Sequence, residues 1–236
     1  MNELKNWDNK TWLSSSSYIN SFNTFLLKKK NLSKNSQILD IGCGRGKIFS
    51  SLSRKLKLIN KPIGIDPVNH KDVDKEIDFR NEDVFRFLKI NQNKFDLIMI
   101  KQTLHFFSKD KRFRLIKICK NNLKKNGVLI VLSLNTLNNQ IPCFKLMKIK
   151  LNTGLERDSR MIKSICKILK NNKIDKFKFN VSVTKKKYIQ MLNQRYISCL
   201  VDLNKKQISN GIKEIKYTYP SKISFEDILI SIKYKN

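Results

Sequence analysis

Short, almost wholly apolar runs recur along the first half of this chain, and most are followed by a stretch with helical spacing. Gln37-Ile38-Leu39-Asp40-Ile41 leads into a glycine cluster, after which Ile48, Leu52 and Leu56 mark a helix. Pro62-Ile63-Gly64-Ile65-Asp66 is a second run, Ile77-Asp78-Phe79-Arg80 a weaker third, and Phe95 to Ile100 a fourth. Phe113, Ile116 and Leu123 mark a helix before a fifth run, Gly127 to Ser133. Strands that are apolar on both faces are covered on both faces, and helices between them act as crossovers joining parallel neighbours. The expected class is α/β, a mostly parallel sheet with helices on both faces.

After residue 155 the pattern changes. Met161, Ile165, Ile168 and Leu169 suit a helix, Phe177 to Val183 alternates as a strand, and helical segments run from Tyr188 to about Ile215. Phe225 to Ile232 reads as the last strand. Before the first strand, Ser14–Ser17 resemble a cap region, and Tyr18, Phe22, Phe25 and Leu26 follow at helical spacing. Nothing in the sequence reads as a linker, so residues 1–236 are expected to form a single domain.

Composition narrows the classes. The longest clean apolar run, Val128 to Leu132, is far short of the roughly 20 residues of a spanning helix. No apolar core follows the first residues, so they do not read as a signal peptide. The cysteines (43, 119, 143, 166, 199) are odd in number and never spaced Cys-x-x-Cys. This argues against a zinc ribbon or a secreted disulfide framework and favours the cytoplasm. The formal charge of +30 invites a nucleic-acid partner. However, 40 Lys, 26 Asn and 29 Ile form the trio that A/T-rich codons encode, so the charge is read first as compositional. The Lys-rich spots, Lys28–Lys30 and Lys185–Lys187, are short and lack the interleaved aromatics of a base-stacking platform.

The sharpest local feature is Asp40-Ile41-Gly42-Cys43-Gly44-Arg45-Gly46-Lys47, a strand running through glycines into a helix. Glycines permit a tight turn and close approach of a ligand, and the helix start offers free N–H groups. A dinucleotide fingerprint would be G-x-G-x-x-G, whereas Lys47 stands at the third glycine position; a P-loop would need Ser or Thr after Lys47, which Ile48 is not. An acid two residues before the first glycine repels pyrophosphate and suits an ammonium group. Asp66, at the end of the second strand, is placed to accept the hydroxyls of an unphosphorylated ribose. Asp83 follows the third strand, within reach of an adenine amine, with a helix N-cap as the alternative role. The three acids fit a cofactor with an amino group, a ribose and an adenine but no phosphates.

At these residues the chain resembles the class I S-adenosylmethionine-dependent methyltransferases. Asp40-x-Gly-Cys-Gly-x-Gly is similar to their first motif, Gly64-Ile65-Asp66-Pro67 to the ribose-binding strand end, Asn81-Glu82-Asp83-Val84 to the adenine-binding turn, and Phe95-Asp96-Leu97-Ile98 through His105-Phe106 to the fourth motif. Leu123-Lys124-Lys125-Asn126-Gly127 resembles the turn before the fifth strand, with Lys125 and Asn126 in place of the usual Pro and first Gly. The resemblance covers residues 35–135 well and the last third loosely. It implies a seven-stranded Rossmann-like sheet, with 1–35 as a helical lid, 36–135 as the cofactor-binding core and 136–236 as substrate-side helices and the last two strands. It further implies that Asp40 holds the methionine amino group, that backbone at Gly42, Cys43, Gly44 and Gly46 lines methionine and ribose, and that Asp66 beside Pro67 binds the ribose. By the same resemblance Asp83 and Val84 hold the adenine, and the carbonyls near Lys101 and Gln102 face the methionine moiety.

Methyl transfer needs alignment and exclusion of water, and a base only where the nucleophile arrives protonated. His105, after the fourth strand, is the candidate base, with packing at the turn as its alternative; His70 reads as a surface residue. Tyr18 is expected to close the site from the lid or else to pack an amphipathic helix, and Trp7 and Trp12 share that ambiguity. The stretch Tyr188 to Ser198 looks like the helical cap of small-molecule methyltransferases, so Tyr188 and Arg195 are expected to meet the substrate, Arg195 through a carboxylate. Cys143 reads as packing. The expected substrate is a small metabolite methylated at oxygen or nitrogen. An RNA methyltransferase and a non-catalytic cofactor-binding subunit stand as alternatives.

Overall fold

The computed structural model describes residues 11–236, so Trp7 lies outside the described residues. The strands are β1 (Ile38–Ile41), β2 (Ile63–Ile65), β3 (Asp78–Arg80), β4 (Phe95–Lys101), β5 (Leu123–Leu134), β6 (Lys173–Thr184) and β7 (Lys222–Lys235). They form one seven-stranded sheet in the order β3-β2-β1-β4-β5-β7-β6. The first five pair in parallel, and β7 runs antiparallel to both β5 and β6. The chain turns outward in opposite directions from β1 and β4, which leaves a crevice at the carboxyl ends of these neighbouring strands.

Two apolar layers sandwich the sheet. On one face lie α1 (Ser16–Lys29), α2 (Lys47–Leu56), α6 (Lys185–Asn193) and α7 (Lys205–Thr218). On the other lie α3 (Val84–Ile90) and α4 (Lys109–Asn121). Helix α5 (Lys145–Ile168) serves both layers, with Met147, Leu151 and Leu155 in the first and Met161 and Ile165 in the second. α1 starts where the Ser15 side chain accepts the Tyr18 N–H at 3.2 Å, and it buries Tyr18, Phe22 and Leu26 against the sheet.

Three strands, β5, β6 and β7, are longer than the apolar pattern predicts. β5 begins at Leu123, four residues before Gly127, through a register shift opposite Phe95–Leu97 and a left-handed Asn126. The β6–β7 ribbon extends past the rim of the sheet: β7 pairs with β5 only up to Leu229 but with β6 back to Lys222. The ribbon thus forms a wall beside the crevice. No helix among the described residues is long and apolar enough to cross a membrane.

Candidate functional site

The loop after β1 is built around its glycines. The N–H groups of Gly42 and Cys43 both donate to the Ile65 carbonyl, at 2.8 and 3.2 Å, tying the tip of β1 to β2. Gly42 has φ +75°, and a Cβ there would lie 2.0 Å from Thr103 Oγ1, so the turn after β4 packs directly on this glycine. Gly44 has φ +54° and faces open space, with nothing within 4 Å of where its Cβ would be. Gly46 is the N-cap of α2.

The acids stand at successive strand tips. Asp40 is 3% exposed. Burial pushes its pKa from 3.8 up to about 7, with the Lys101 ammonium pulling it down and the Asp66 carboxylate pushing it further up. Asp66 accepts the Gly44 N–H through Oδ2 and the Val68 N–H through Oδ1, both at 2.9 Å, and its own carbonyl accepts from Asn81 Nδ2 at 3.0 Å. Pro67 follows it in the chain. Asp83 makes the N-cap of α3: its Oδ1 accepts from Phe85 and Arg86 N–H groups at 2.9 and 3.2 Å. The residue is exposed, and Val84 behind it is buried.

His70 departs from the surface role read in the sequence. It is 6% exposed and sets Nε2 3.6 Å from Asp66 Oδ1. The polar segment after β2 folds back over the strand tip, held where the Asp74 N–H meets the Arg45 carbonyl at 3.2 Å, and carries the imidazole inward.

At the tip of β4, Lys101 sends its side chain under α1, with Nζ 5.6 Å from the Tyr18 ring centroid and 5.7 Å from that of Phe22. Gln102 has φ +51°, donates its N–H to the Leu132 carbonyl at 2.8 Å, and keeps a buried Oε1 without a partner. His105 lies in a 3-10 turn, its ring centroid 4.0 Å from that of Phe106, with a buried Nε2 that has no hydrogen-bond partner among the described residues. Burial holds its pKa below 6.5; Asp158 opposes this, and Arg157 and Arg112 add to it, so the imidazole is neutral at pH 7.

On the α1 side Tyr18 is fully buried and its hydroxyl has no partner. The Trp12 indole N–H donates to Asp227 Oδ2 at 2.9 Å, and that carboxylate is 2% exposed. Sequence reasoning missed Asp227 and Thr103. Alternation in Phe225-Glu226-Asp227-Ile228 could have pointed to Asp227 as an inward acid in an otherwise apolar strand face.

The helical cap differs from its sequence reading. Tyr188 is wholly buried, and its hydroxyl is committed to the Pro142 carbonyl and to Tyr196 Oη, so it packs α6 onto the core. Arg195 donates through Nη2 to the Leu203 carbonyl at 2.7 Å and fastens the loop between α6 and α7, with Nε buried and unpartnered. Cys143 is half-buried with its thiol pushed up to about 12, as a packing role requires.

Residues 39–131 match a family model described as a methyltransferase domain. Residues 39–131 are thus similar to a methyltransferase domain, and the cofactor that such a domain implies is S-adenosylmethionine. Over 108 residues the chain is 32% identical to the carboxy-S-adenosyl-L-methionine synthase of Helicobacter pylori (strain HPAG1), covering 44% of this chain and 45% of that protein. The chain therefore spans about half the length of that curated relative. In fold it is similar to a putative methyltransferase from an antibiotic biosynthesis pathway of Anabaena variabilis ATCC 29413, at 14% identity over 89% of this chain and 95% of that one, with TM-score 0.61. It is likewise similar to the plantazolicin methyltransferase BpumL in complex with SAH, at 15% identity over 98% and 88%, with TM-score 0.55.

Proposed function

We propose that the chain is a cytoplasmic methyltransferase that moves a methyl group from S-adenosylmethionine to an oxygen or nitrogen of a small molecule. One observation carries the cofactor reading: a buried carboxylate, Asp40, stands at the tip of β1 beside an open glycine cradle at Gly44. A ligand ammonium is the donor such a carboxylate needs. The crevice offers acceptors at three strand tips, which suits an amine, a ribose and an adenine better than a pyrophosphate.

When bound, the cofactor supplies a methyl group already activated on a sulfonium. Asp40 orients the amino-acid end, backbone at Gly42, Cys43, Gly44, Gly46 and Pro67 follows the methionine and ribose, and Asp66 accepts from the ribose hydroxyls. Asp83, with one oxygen spent on its cap, and the Val84 N–H hold the adenine, and the carbonyls at Lys101 and Gln102 face the methionine. His105 is neutral, so its unpartnered Nε2 is able to take the proton of a hydroxyl or amine nucleophile. The lid reading of Tyr18 and Trp12 rests on α1 and on the Trp12–Asp227 bond, which closes one side of the crevice against water. With α1 on one side and the β6–β7 wall beside it, the enclosure favours a small acceptor over a polymer. Arg195 is turned to its own loop, so the carboxylate it was expected to bind finds no support there.

The test is radiolabelled methyl transfer into a metabolite extract beside one into total RNA. Label in the small-molecule fraction is expected, and label confined to RNA would overturn the substrate class. Asp66→Ala should abolish binding of S-adenosylhomocysteine by calorimetry; unchanged affinity would remove the ribose assignment.

A further inference from the structure

We infer that Lys101 holds the α-carboxylate of the bound cofactor, so that Asp40 and Lys101 receive the two charges of its amino-acid end as an opposed pair. This rests on the cofactor reading above and goes beyond it by assigning a side chain to the carboxylate.

The placement follows from register. β1 and β4 are parallel neighbours with Asp40 opposite Met99. Side chains alternate along a strand, so Met99 and Lys101 share a face. Met99 packs in the layer that contains Tyr18 and Phe22, and the Lys101 ammonium lies over those same two rings. Asp40 and Lys101 thus stand on one face at the tips of adjacent strands, with α1 over Lys101.

The charges then decide the role. An α-amino acid carries its carboxylate one carbon from its ammonium. Wherever Asp40 takes the ammonium, the ligand carboxylate falls within the field of Asp40, Asp66 and Asp227, all buried. Without a cation it would be repelled. Lys101 is the cation whose charge acts on both Asp40 and Asp227. An independent observation points to an acceptor in the same corner: Tyr18 Oη, on the inner face of α1, is buried and has no hydrogen-bond partner among the described residues. A buried hydroxyl without a partner is costly, and a ligand carboxylate beside Lys101 would satisfy it.

The competing role is internal: Lys101 serves only to neutralise Asp40 and Asp227. A pair of ligands separates the two. S-adenosylhomocysteine carries the amino-acid end, and 5′-methylthioadenosine shares the adenosine and the thioether but lacks it. Binding of both to the full chain is measured by calorimetry. Lys101→Met is expected to weaken S-adenosylhomocysteine about 10- to 100-fold, as loss of a charge-assisted contact does, and to leave 5′-methylthioadenosine within about twofold. Lys101→Arg should recover part of the lost affinity. Retained binding of 5′-methylthioadenosine also reports that the variant is folded. If Met at this site unfolds the chain, Lys101→Gln supplies the same ratio. Equal weakening of both ligands, or of neither, overturns the assignment. A wild-type chain that binds neither ligand overturns the cofactor reading itself.

Discussion

Asp40 ties cofactor binding to pH, and the size of the effect follows from its burial. In the unliganded chain its carboxyl titrates at about 7, up from 3.8, because burial outweighs the pull of Lys101 and Asp66 adds repulsion. A ligand ammonium needs the carboxylate, so the protonated fraction must release its proton on binding. The affinity for S-adenosylhomocysteine should therefore drop by roughly 15-fold as pH falls from about 7 to about 5.5. Near pH 7 about half a proton should be released per ligand bound. Calorimetry in two buffers of different ionisation enthalpy reads that release directly. 5′-Methylthioadenosine, which lacks the ammonium, should show none of the Asp40 component. Asp40→Asn should flatten the difference between the two ligands. The sign for stability is the opposite of the usual carboxylate case. A folded pKa above the unfolded one means stability is highest below the unfolded value and is lost as pH rises toward 7, by about 4 kcal/mol in all. Unliganded Asp40→Asn should consequently melt above the wild type at pH 8 while binding S-adenosylhomocysteine less tightly. Equal pH dependence for the two ligands, or no proton release at pH 7, would refute the reasoning.

Gly42→Ala would set a Cβ 2.0 Å from Thr103 Oγ1 at a φ of +75°, and a loss of about 2–4 kcal/mol is expected from strain and overpacking together. A urea midpoint equal to that of the wild type would show that the loops after β1 and β4 do not pack so closely. His105→Ala should lower kcat by about 10²–10⁴ with S-adenosylhomocysteine affinity unchanged; wild-type turnover would remove its role as base. Because burial holds the His105 pKa below 6.5, the acid limb of kcat/KM in the wild type should also fall below pH 6.5, with activity present above the pKa and lost as pH drops through it.

The parts of the site that were legible in the sequence are local. Asp40 with its glycines, Asp66 with Pro67, and Asp83 with Val84 each occupy a strand tip and the turn that follows, so a few adjacent residues specify both conformation and chemistry. The first half of α5 was not legible, because Lys, Asn and Thr dilute the apolar stripe of Met147, Leu151 and Leu155 and Gly154 interrupts it. The orientation of α6 was hidden for a different reason. Tyr188, Met191 and Leu192 form one stripe whether that stripe faces a ligand or a core, and only its packing on the β6–β7 wall decides for the core. His70 was misplaced because a polar segment gives no periodic signal for folding back over a strand tip.

The grouping of Asp40, Lys101 and Asp227 shows where sequence reading ends. Alternation within each run indicates which side chains share a face along one strand, and for Asp227 that rule alone points inward with Phe225 and Leu229. It does not say that β1 lies beside β4, or that β7 inserts between β5 and β6. Those adjacencies bring charges from distant parts of the chain together, where burial strengthens every interaction among them. An isolated acid in β7 would be a defect in an apolar strand. Burial raises the Asp227 pKa, while the Trp12 indole donating to it and the Lys101 ammonium favour its charged form, and in that form Asp227 attracts the Lys101 ammonium at the tip of β4. On this argument Asp227 is a positioning residue: Asp227→Asn should weaken S-adenosylhomocysteine in the same ligand-selective way as Lys101→Met, but less. If it weakens 5′-methylthioadenosine as much, the acid supports the wall and not the ligand.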